Sequence, residues 1–348
     1  MNKLKETSLL TVLLLLVMLL VACSEKEVET EASVEANTDQ NLGAGEIQEV
    51  KIKLAHIYSP DIFTYEGYEK FANLVSEKSN GKVKVTIYPA GQLYNDSAIP
   101  NAIASGQLEM GVTTFETWAS NIPATEFNTL PIFDDQEHFR NALKSGVKDI
   151  IIGELGGLGV KPLIWTEFGF SYFASNDSAL TTPESFVGKN IRTISPLMSK
   201  FVELAGGTPV AIPAVEVPQA LQRGTVDAAV SGVTAFVSWK YYDYTNYYSG
   251  PFNPGLVLLS ANGKWWDTLN EATQNVILEA AKEAEDFLTE RHDVVNDEAK
   301  ATLAEKEMQY EQVNLSDFES AITPLKEEFL SRSGDVGEEI LKIVEESR

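Results

Sequence analysis

Between Gly188 and Gly232 the chain reads GKNIRTISPLMSKFVELAGGTPVAIPAVEVPQALQRGTVDAAVSG, a strand, helix, strand, helix, strand order with one arginine in its first strand. Residues 190–194 set β-branched side chains around Arg192, and Ser195 with Pro196 then supplies an N-cap and a first-turn proline for a helix through Leu204. Gly206 and Gly207 end that helix, 208–212 reads as a short strand that Pro213 breaks, and a second helix over 215–223 closes at Gly224. Pro218 is tolerated there only in the first turn, where backbone donors have no partner. Residues 225–230 form a buried strand that ends at Ser231 and Gly232.

The same alternation precedes this unit. Residues 49–57 read as a strand, 64–78 as a helix with Tyr68, Phe71, Leu74 and Val75 on one face, and 82–88 as a second strand. That order implies parallel pairing through a crossover helix, hence an α/β fold. A helix ending at Ser105 and a strand over 108–113 follow, then a helical stretch over 139–155. The glycines at 156, 157 and 159 come after a helix and before the strand at 160–165, the reverse of the order a nucleotide-binding loop requires. Residues 255–261 have a buried-strand pattern, 270–310 form one long helical stretch, and 317–330 and 337–347 are acidic amphipathic closing helices.

The N-terminus reads as a targeting segment: Lys3 and Lys5 precede an apolar run over 9–21 that is short for a membrane span. Leu20-Val-Ala-Cys23 looks like a bacterial lipoprotein cleavage box, so residues 1–22 are expected to be removed and Cys23 to carry the lipid that anchors the protein to the outer face of the cell membrane. Cys23 is the only cysteine, so no disulfide can form within the chain. From Ser24 to Glu46 seven acids stand against one lysine, with no aromatic residue, as in a flexible tether. The chain carries −24 at pH 7; residues 1–22 contribute +1 and the tether −6, which leaves −19 on a folded part long enough for two lobes. Such a balance argues against nucleic acid and anionic lipid headgroups as partners and says nothing against a small anion, which needs only a local positive site.

Two motifs, Lys189-Asn-Ile-Arg192 and Glu216-Val-Pro-Gln-Ala-Leu-Gln-Arg-Gly-Thr-Val-Asp227, resemble those of DctP-type solute receptors of TRAP (tripartite ATP-independent periplasmic) transporters. Ser76-Glu-Lys-Ser-Asn-Gly-Lys-Val-Lys-Val85, Tyr88-Pro-Ala-Gly-Gln-Leu93 and Leu130-Pro-Ile-Phe133 extend the likeness over nearly the whole chain after the tether. The resemblance implies a two-lobe periplasmic-binding-protein-like (type II) fold with hinge strands and a long helix spanning both lobes. We expect lobe I over 47–168 plus 252–291 and lobe II over 169–251 plus 292–348. It also implies that the receptor works with integral-membrane TRAP subunits and that Arg192 pairs with a ligand carboxylate; no cofactor or metal site is expected, and whether a metal ion bridges the ligand is left open by the sequence. A guanidinium fork suits that role; the competing reading of Arg192 is a surface strand residue.

The chain departs from the family's best-known branch at two places. A second arginine there falls on Ser171, and an asparagine falls on Ser231. Arg192 is thus the one cation that can be placed in a cleft, and burying an unpaired second carboxylate is costly, which favours a monocarboxylate ligand. Open α/β sheets bind ligands at strand carboxyl ends, which adds Tyr58, Thr114 and the nearby Trp118. With Phe170 as an aromatic wall and Asp96, these complete the expected ligand-binding set. The aromatic run at 233–248 reads as a cleft wall or as helix core with a surface tyrosine cluster.

No constellation selects a catalytic site: in so acidic a chain a pair of carboxylates such as glycosidases use is available, but nothing singles one out. The three histidines, His56, His138 and His292, are far apart, and no metalloprotease, Cys-x-x-Cys or nucleophile-elbow motif occurs. The other readings of a two-lobe binder are an ABC-type receptor or a ligand sensor for a membrane kinase.

Overall fold

The structure, a computed structural model, describes residues 45–348. The expected leader, Cys23 and all but the end of the tether lie outside the described residues.

Among the described residues ten strands form one continuous sheet system. They are β1 (Val50–Ala55), β2 (Val83–Tyr88), β3 (Met110–Thr114), β4 (Val160–Ser175), β5 (Asn190–Thr193), β6 (Thr208–Ala211), β7 (Ala228–Gly232), β8 (Tyr247–Gly250), β9 (Pro254–Asn262) and β10 (Gln309–Gln312). The spatial order is β2-β1-β3-β9-β4-β7-β5-β6, with β8 on β4 and β10 on β8. β1 pairs in parallel with β2 and β3, and β5 in parallel with β6 and β7, as the strand-helix-strand sequence of each half requires.

β4 and β9 join the halves. β4 runs antiparallel to β9 from Val160 to Phe170, then continues against β7 from Ser171 to Ser175 and against β8. The sequence suggests that this strand stops at residue 165, but it extends to Ser175. Its register shifts between Pro162 and Ile164 and again between Glu167 and Gly169, where Gly169 adopts φ +86°. Pro162 lacks the ladder donor and Gly169 supplies a bulge conformation, so the strand bends without ending.

Helix Glu271–Glu305 lies along both halves. Asn270 caps it, its side chain accepting from Thr273 N at 3.0 Å. Ile277, Ala281, Ala284, Leu288, His292, Val295, Ala299 and Leu303 are buried at three- and four-residue spacing, a single stripe along the helix. The stripe packs on helix Phe63–Lys78, on β4 and on helix Val233–Ser238. Leu288 sits so close to Gly67 that a Cβ there would fall 2.4 Å from it. The helix is shorter than the expected 270–310: Glu307 turns into φ +62°, and residues 309–312 leave as β10, parallel to β8.

Two other boundaries shift for local reasons. β7 begins at Ala228 and not at residue 225, because Asp227 is held in a turn on β5; its side chain accepts from Asn190 N at 2.7 Å and its N–H donates to Asn190 O. The helical stretch expected over 139–155 is interrupted at Gly146, φ +132°, between helices Gln136–Ala142 and Lys148–Gly157. Helix Pro196–Leu204 starts and stops where its cap and glycines place it, with Ser195 Oγ accepting from Met198 N at 3.2 Å. Among the described residues no helix is long and apolar enough to cross a membrane.

Candidate functional site

Arg192 lies in β5 between two parallel neighbours, which buries it on both sides. Its side chain is only 2 % exposed. Nε donates to Ile212 O at 3.2 Å and Nη1 to Val230 O at 3.2 Å, so the flanking strands fix the plane of the guanidinium. Nη2 has no hydrogen-bond partner among the described residues. A buried, immobilised guanidinium with a spare donor is preorganised to take an anion, because its orientation is set before the ligand arrives.

That group opens on a cleft of about 220 Å³ lined by Asp96, Glu116, Arg192, Ile194, Pro196 and Ile212 among others. Asp96 Oδ2 stands 3.8 Å from Arg192 Nη2. The same carboxylate accepts from Ala214 N at 3.0 Å and from Ser97 N at 3.1 Å, which ties the segment after β2 to the turn after β6. A second chamber of about 70 Å³ adjoins the first, sharing Glu116 and Ile194, and is lined by Thr114, Phe168, Ser171, Met198, Ser231 and Asn253. The first chamber is thus ionic and the second largely apolar, with the hydroxyls of Thr114, Ser171 and Ser231 among its lining groups.

Glu116 marks the boundary between them. Its Oε1 accepts from Asn128 Nδ2 at 2.8 Å, and Asn128 Nδ2 also donates to Pro254 O. Burial pushes its carboxyl above the usual range, although hydrogen bonds oppose the shift. In the second chamber Ser171 Oγ donates to Asn253 Oδ1 at 2.5 Å, and Asn253 Nδ2 donates to Asn128 O at 2.9 Å. A polar chain therefore runs from Glu116 through Asn128 and Asn253 to Ser171.

Of the residues expected from sequence, the cleft brings together Arg192, Asp96, Thr114, Ser171 and Ser231. Phe170, Trp118 and Tyr58 are not among its lining residues. Trp118 is buried, its Nε1 donating to Thr113 Oγ1 at 2.9 Å on the core side of β3. Tyr58 is buried against His56, Tyr68 and Phe168. The aromatic wall is Phe168, two residues before the one expected. The ring fits where Gly232 and Gly255 leave room; a Cβ on Gly232 would lie 2.9 Å from it. The bulge at Gly169 resets the facing of β4, which simple alternation from the strand start does not convey.

Glu116 is absent from the set expected from sequence, although it stands two positions beyond the end of β3, where a ligand-facing group belongs. Asn253 follows Phe252 in the turn before β9 and carries no sequence signal of its own. Among the described residues, no group of three or more His, Cys, Asp or Glu side chains could hold a metal ion.

The family model for bacterial extracellular solute-binding protein, family 7 (DctP), matches residues 54–333. The 2,3-diketo-L-gulonate-binding periplasmic protein YiaO of Escherichia coli K12 is 26 % identical over 286 residues, 80 % of this chain and 86 % of that one. The C4-dicarboxylate-binding periplasmic protein DctP of Rhodobacter capsulatus is 24 % identical over 294 residues, 82 % of this chain and 88 % of that one. Among solved structures, the sugar acid binding protein DctPAm of Advenella mimigardefordensis, in complex with galactonate, superposes with a TM-score of 0.82 at 22 % identity, covering 87 % of this chain and 100 % of that one. Its two-lobe α/β architecture is the one expected here from sequence. The chain belongs to bacterial extracellular solute-binding protein family 7, the DctP-type receptors of TRAP transporters, and is a solute receptor and not an enzyme.

Proposed function

We propose that the chain captures a small hydroxylated monocarboxylate outside the cytoplasm and delivers it to the integral-membrane subunits of a TRAP transporter. The observation that carries this reading is the charge inventory of the cleft: among its lining residues one guanidinium, Arg192, faces two carboxylates, Asp96 and Glu116. The ligand carboxylate takes the spare donor of Arg192. A second carboxylate on the ligand would approach Glu116, where like charges in a poorly solvated place repel. Ligand hydroxyls instead have Thr114, Ser171, Ser231 and the acids as partners. Support comes also from two of the similar proteins, whose named ligands, 2,3-diketo-L-gulonate and galactonate, are hydroxylated monocarboxylates; the C4-dicarboxylate receptor represents the competing ligand class.

In this reading lobe I comprises residues 47–168 and 252–291, and lobe II residues 169–251 and 292–348, with β4 and β9 as hinge strands. The open form takes the anion on Arg192, the lobes rotate together over it, and the closed form docks on the membrane subunits. The receptor only binds, so the energy of uptake comes from an ion gradient through those subunits, as the family resemblance implies. Cys23 holds the protein to the membrane by its lipid.

A thermal-shift screen of matched mono- and dicarboxylates tests the ligand class. A ligand at a hundred times its Kd stabilises the fold by about 2.7 kcal/mol. The hydroxylated monocarboxylates raise the melting temperature; a response confined to dicarboxylates, or to neutral sugars, contradicts the reading.

A further inference from the structure

We infer that Glu116 is the residue that selects among ligands in this cleft: it reads a hydroxyl on the ligand body and rejects a second carboxylate. The inference rests on the proposal that Arg192 holds the ligand's carboxylate.

Its basis is position. Glu116 and Ile194 are the two residues common to both chambers, so a ligand anchored at Arg192 and extending toward Ser171 and Ser231 passes over the Glu116 carboxyl. The residue is 7 % exposed, in the cleft and not at the protein surface. One oxygen is engaged by Asn128 Nδ2 at 2.8 Å, and Asn128 is itself buried and fixed by Asn253 and Pro254. The group therefore cannot swing out to solvent without leaving a buried amide unsatisfied.

The remaining oxygen suits a hydroxyl in either protonation state, since a hydroxyl both donates and accepts. A carboxylate has no such freedom. It can approach an ionised Glu116 only against repulsion, or a protonated one only by fixing the proton between the two. Burial raises the pKa of Glu116 and a second carboxylate beside it raises it further, so whatever fraction of Glu116 is ionised in the free protein must take up a proton when a dicarboxylate binds. The charged groups that face this site are Arg192 and Asp96 in the cleft and Glu126 behind it on the turn Pro123–Thr129. Arg192 is committed to the first carboxylate, and the other two are acids.

The test uses matched pairs of linear acids of about four to six carbons, each pair differing only in whether the far end is a primary alcohol or a carboxylate: aldonates and aldarates. Calorimetric titration of the wild-type protein gives at least a tenfold preference for the aldonate. Glu116→Gln keeps the size of the side chain and an acceptor for Asn128 while removing the charge; it narrows the preference at least tenfold, chiefly by tighter aldarate binding. The wild type alone supplies a second measurement. In buffers of different ionisation enthalpy, aldarate binding takes up more protons than aldonate binding.

An unchanged aldonate-to-aldarate ratio in Glu116→Gln, or proton uptake that stays equal for the two ligands as the pH is raised, overturns the role of Glu116. If Arg192→Ala meanwhile abolishes binding of both ligands, the receptor reading stands and only this inference fails. If Arg192→Ala binds both as tightly as wild type, or the wild type binds no pair, the underlying reading fails with it.

Discussion

Arg192 Nη2 and Asp96 Oδ2 face one another at 3.8 Å, close enough for attraction and too far for a hydrogen bond. Asp96 is therefore not a closed ion-pair partner that occupies the guanidinium. Its hydrogen bonds go to the backbone, at Ala214 N and Ser97 N, so its primary task within the protein is to hold the turn after β6 against the segment before helix Ile99–Ala104.

Asp96→Ala leaves the buried Ala214 N–H without an acceptor and lowers stability by about 1–3 kcal/mol. Asp96→Asn keeps a side-chain oxygen there and recovers most of the loss. Urea unfolding of the two variants checks this; equal destabilisation by both would mean that charge and not the hydrogen bond matters.

His56 is fully buried among Tyr58, Tyr65 and Tyr68, and neither ring nitrogen has a partner among the described residues. Burial lowers its pKa from 6.5 to about 4. Between those values the unfolded chain binds a proton that the folded chain does not, so stability rises with pH across this window. The contribution is fully present above 6.5 and is lost as pH falls toward 4, by on the order of 3 kcal/mol. His56→Phe removes this component, and the difference in unfolding free energy between neutral pH and the acid end of that window shrinks accordingly. An unaltered pH profile in the variant assigns the slope to other groups.

Glu126 has no exposed surface, accepts from Leu197 N at 2.6 Å at the start of helix Pro196–Leu204, and meets Arg332 Nη1 at 2.5 Å. It supplies an acceptor to a helix end that flanks the cleft through Pro196 and Met198. Glu126→Ala costs about 2 kcal/mol through the stranded donor. Chemical denaturation reads the stability; hydrogen exchange localises the loss to the first turn of that helix. Protection there equal to that of wild type would contradict the capping role.

Gly169 combines φ +86° with a close side-chain neighbour: a Cβ added there would lie 2.5 Å from Asn296 Oδ1. Gly169→Ala therefore destabilises by about 1–3 kcal/mol. If β4 is a hinge strand as proposed, the same variant shifts the equilibrium between the open and closed forms, which small-angle scattering with and without ligand detects. A variant as stable as wild type contradicts both the backbone and the steric argument, since movement of Asn296 would relieve only the contact and not the positive φ.

The sheet halves are legible in the sequence because their helices start and stop on local signals: Ser195 and Pro196 at the start of the helix through Leu204, the glycines after it, Asn270 before the long helix. Arg192 is legible as a cation in a strand of β-branched neighbours, and the family motif assigns its role. What escapes depends on distant contacts. The facing of Phe168 follows from the bulge at Gly169 and the room left by Gly232 and Gly255; the end of the long helix follows from pairing of 309–312 with β8. Glu116 escapes because its partner Asn128 is itself held by Asn253 and Pro254, which lie far along the chain. Trp118 fails for the opposite reason: a nearby strand end says where a cleft opens but not which side chains turn toward the core.

The most direct measurement is the affinity of Arg192→Ala for the best hydroxylated monocarboxylate of the screen, by calorimetric titration beside wild type. Loss of a charge-assisted partner costs at least about 2 kcal/mol, or roughly thirtyfold in Kd. A weakening of that size or greater, with the unliganded fold intact, is what the account predicts. Undiminished affinity would contradict it and remove the carboxylate from Arg192.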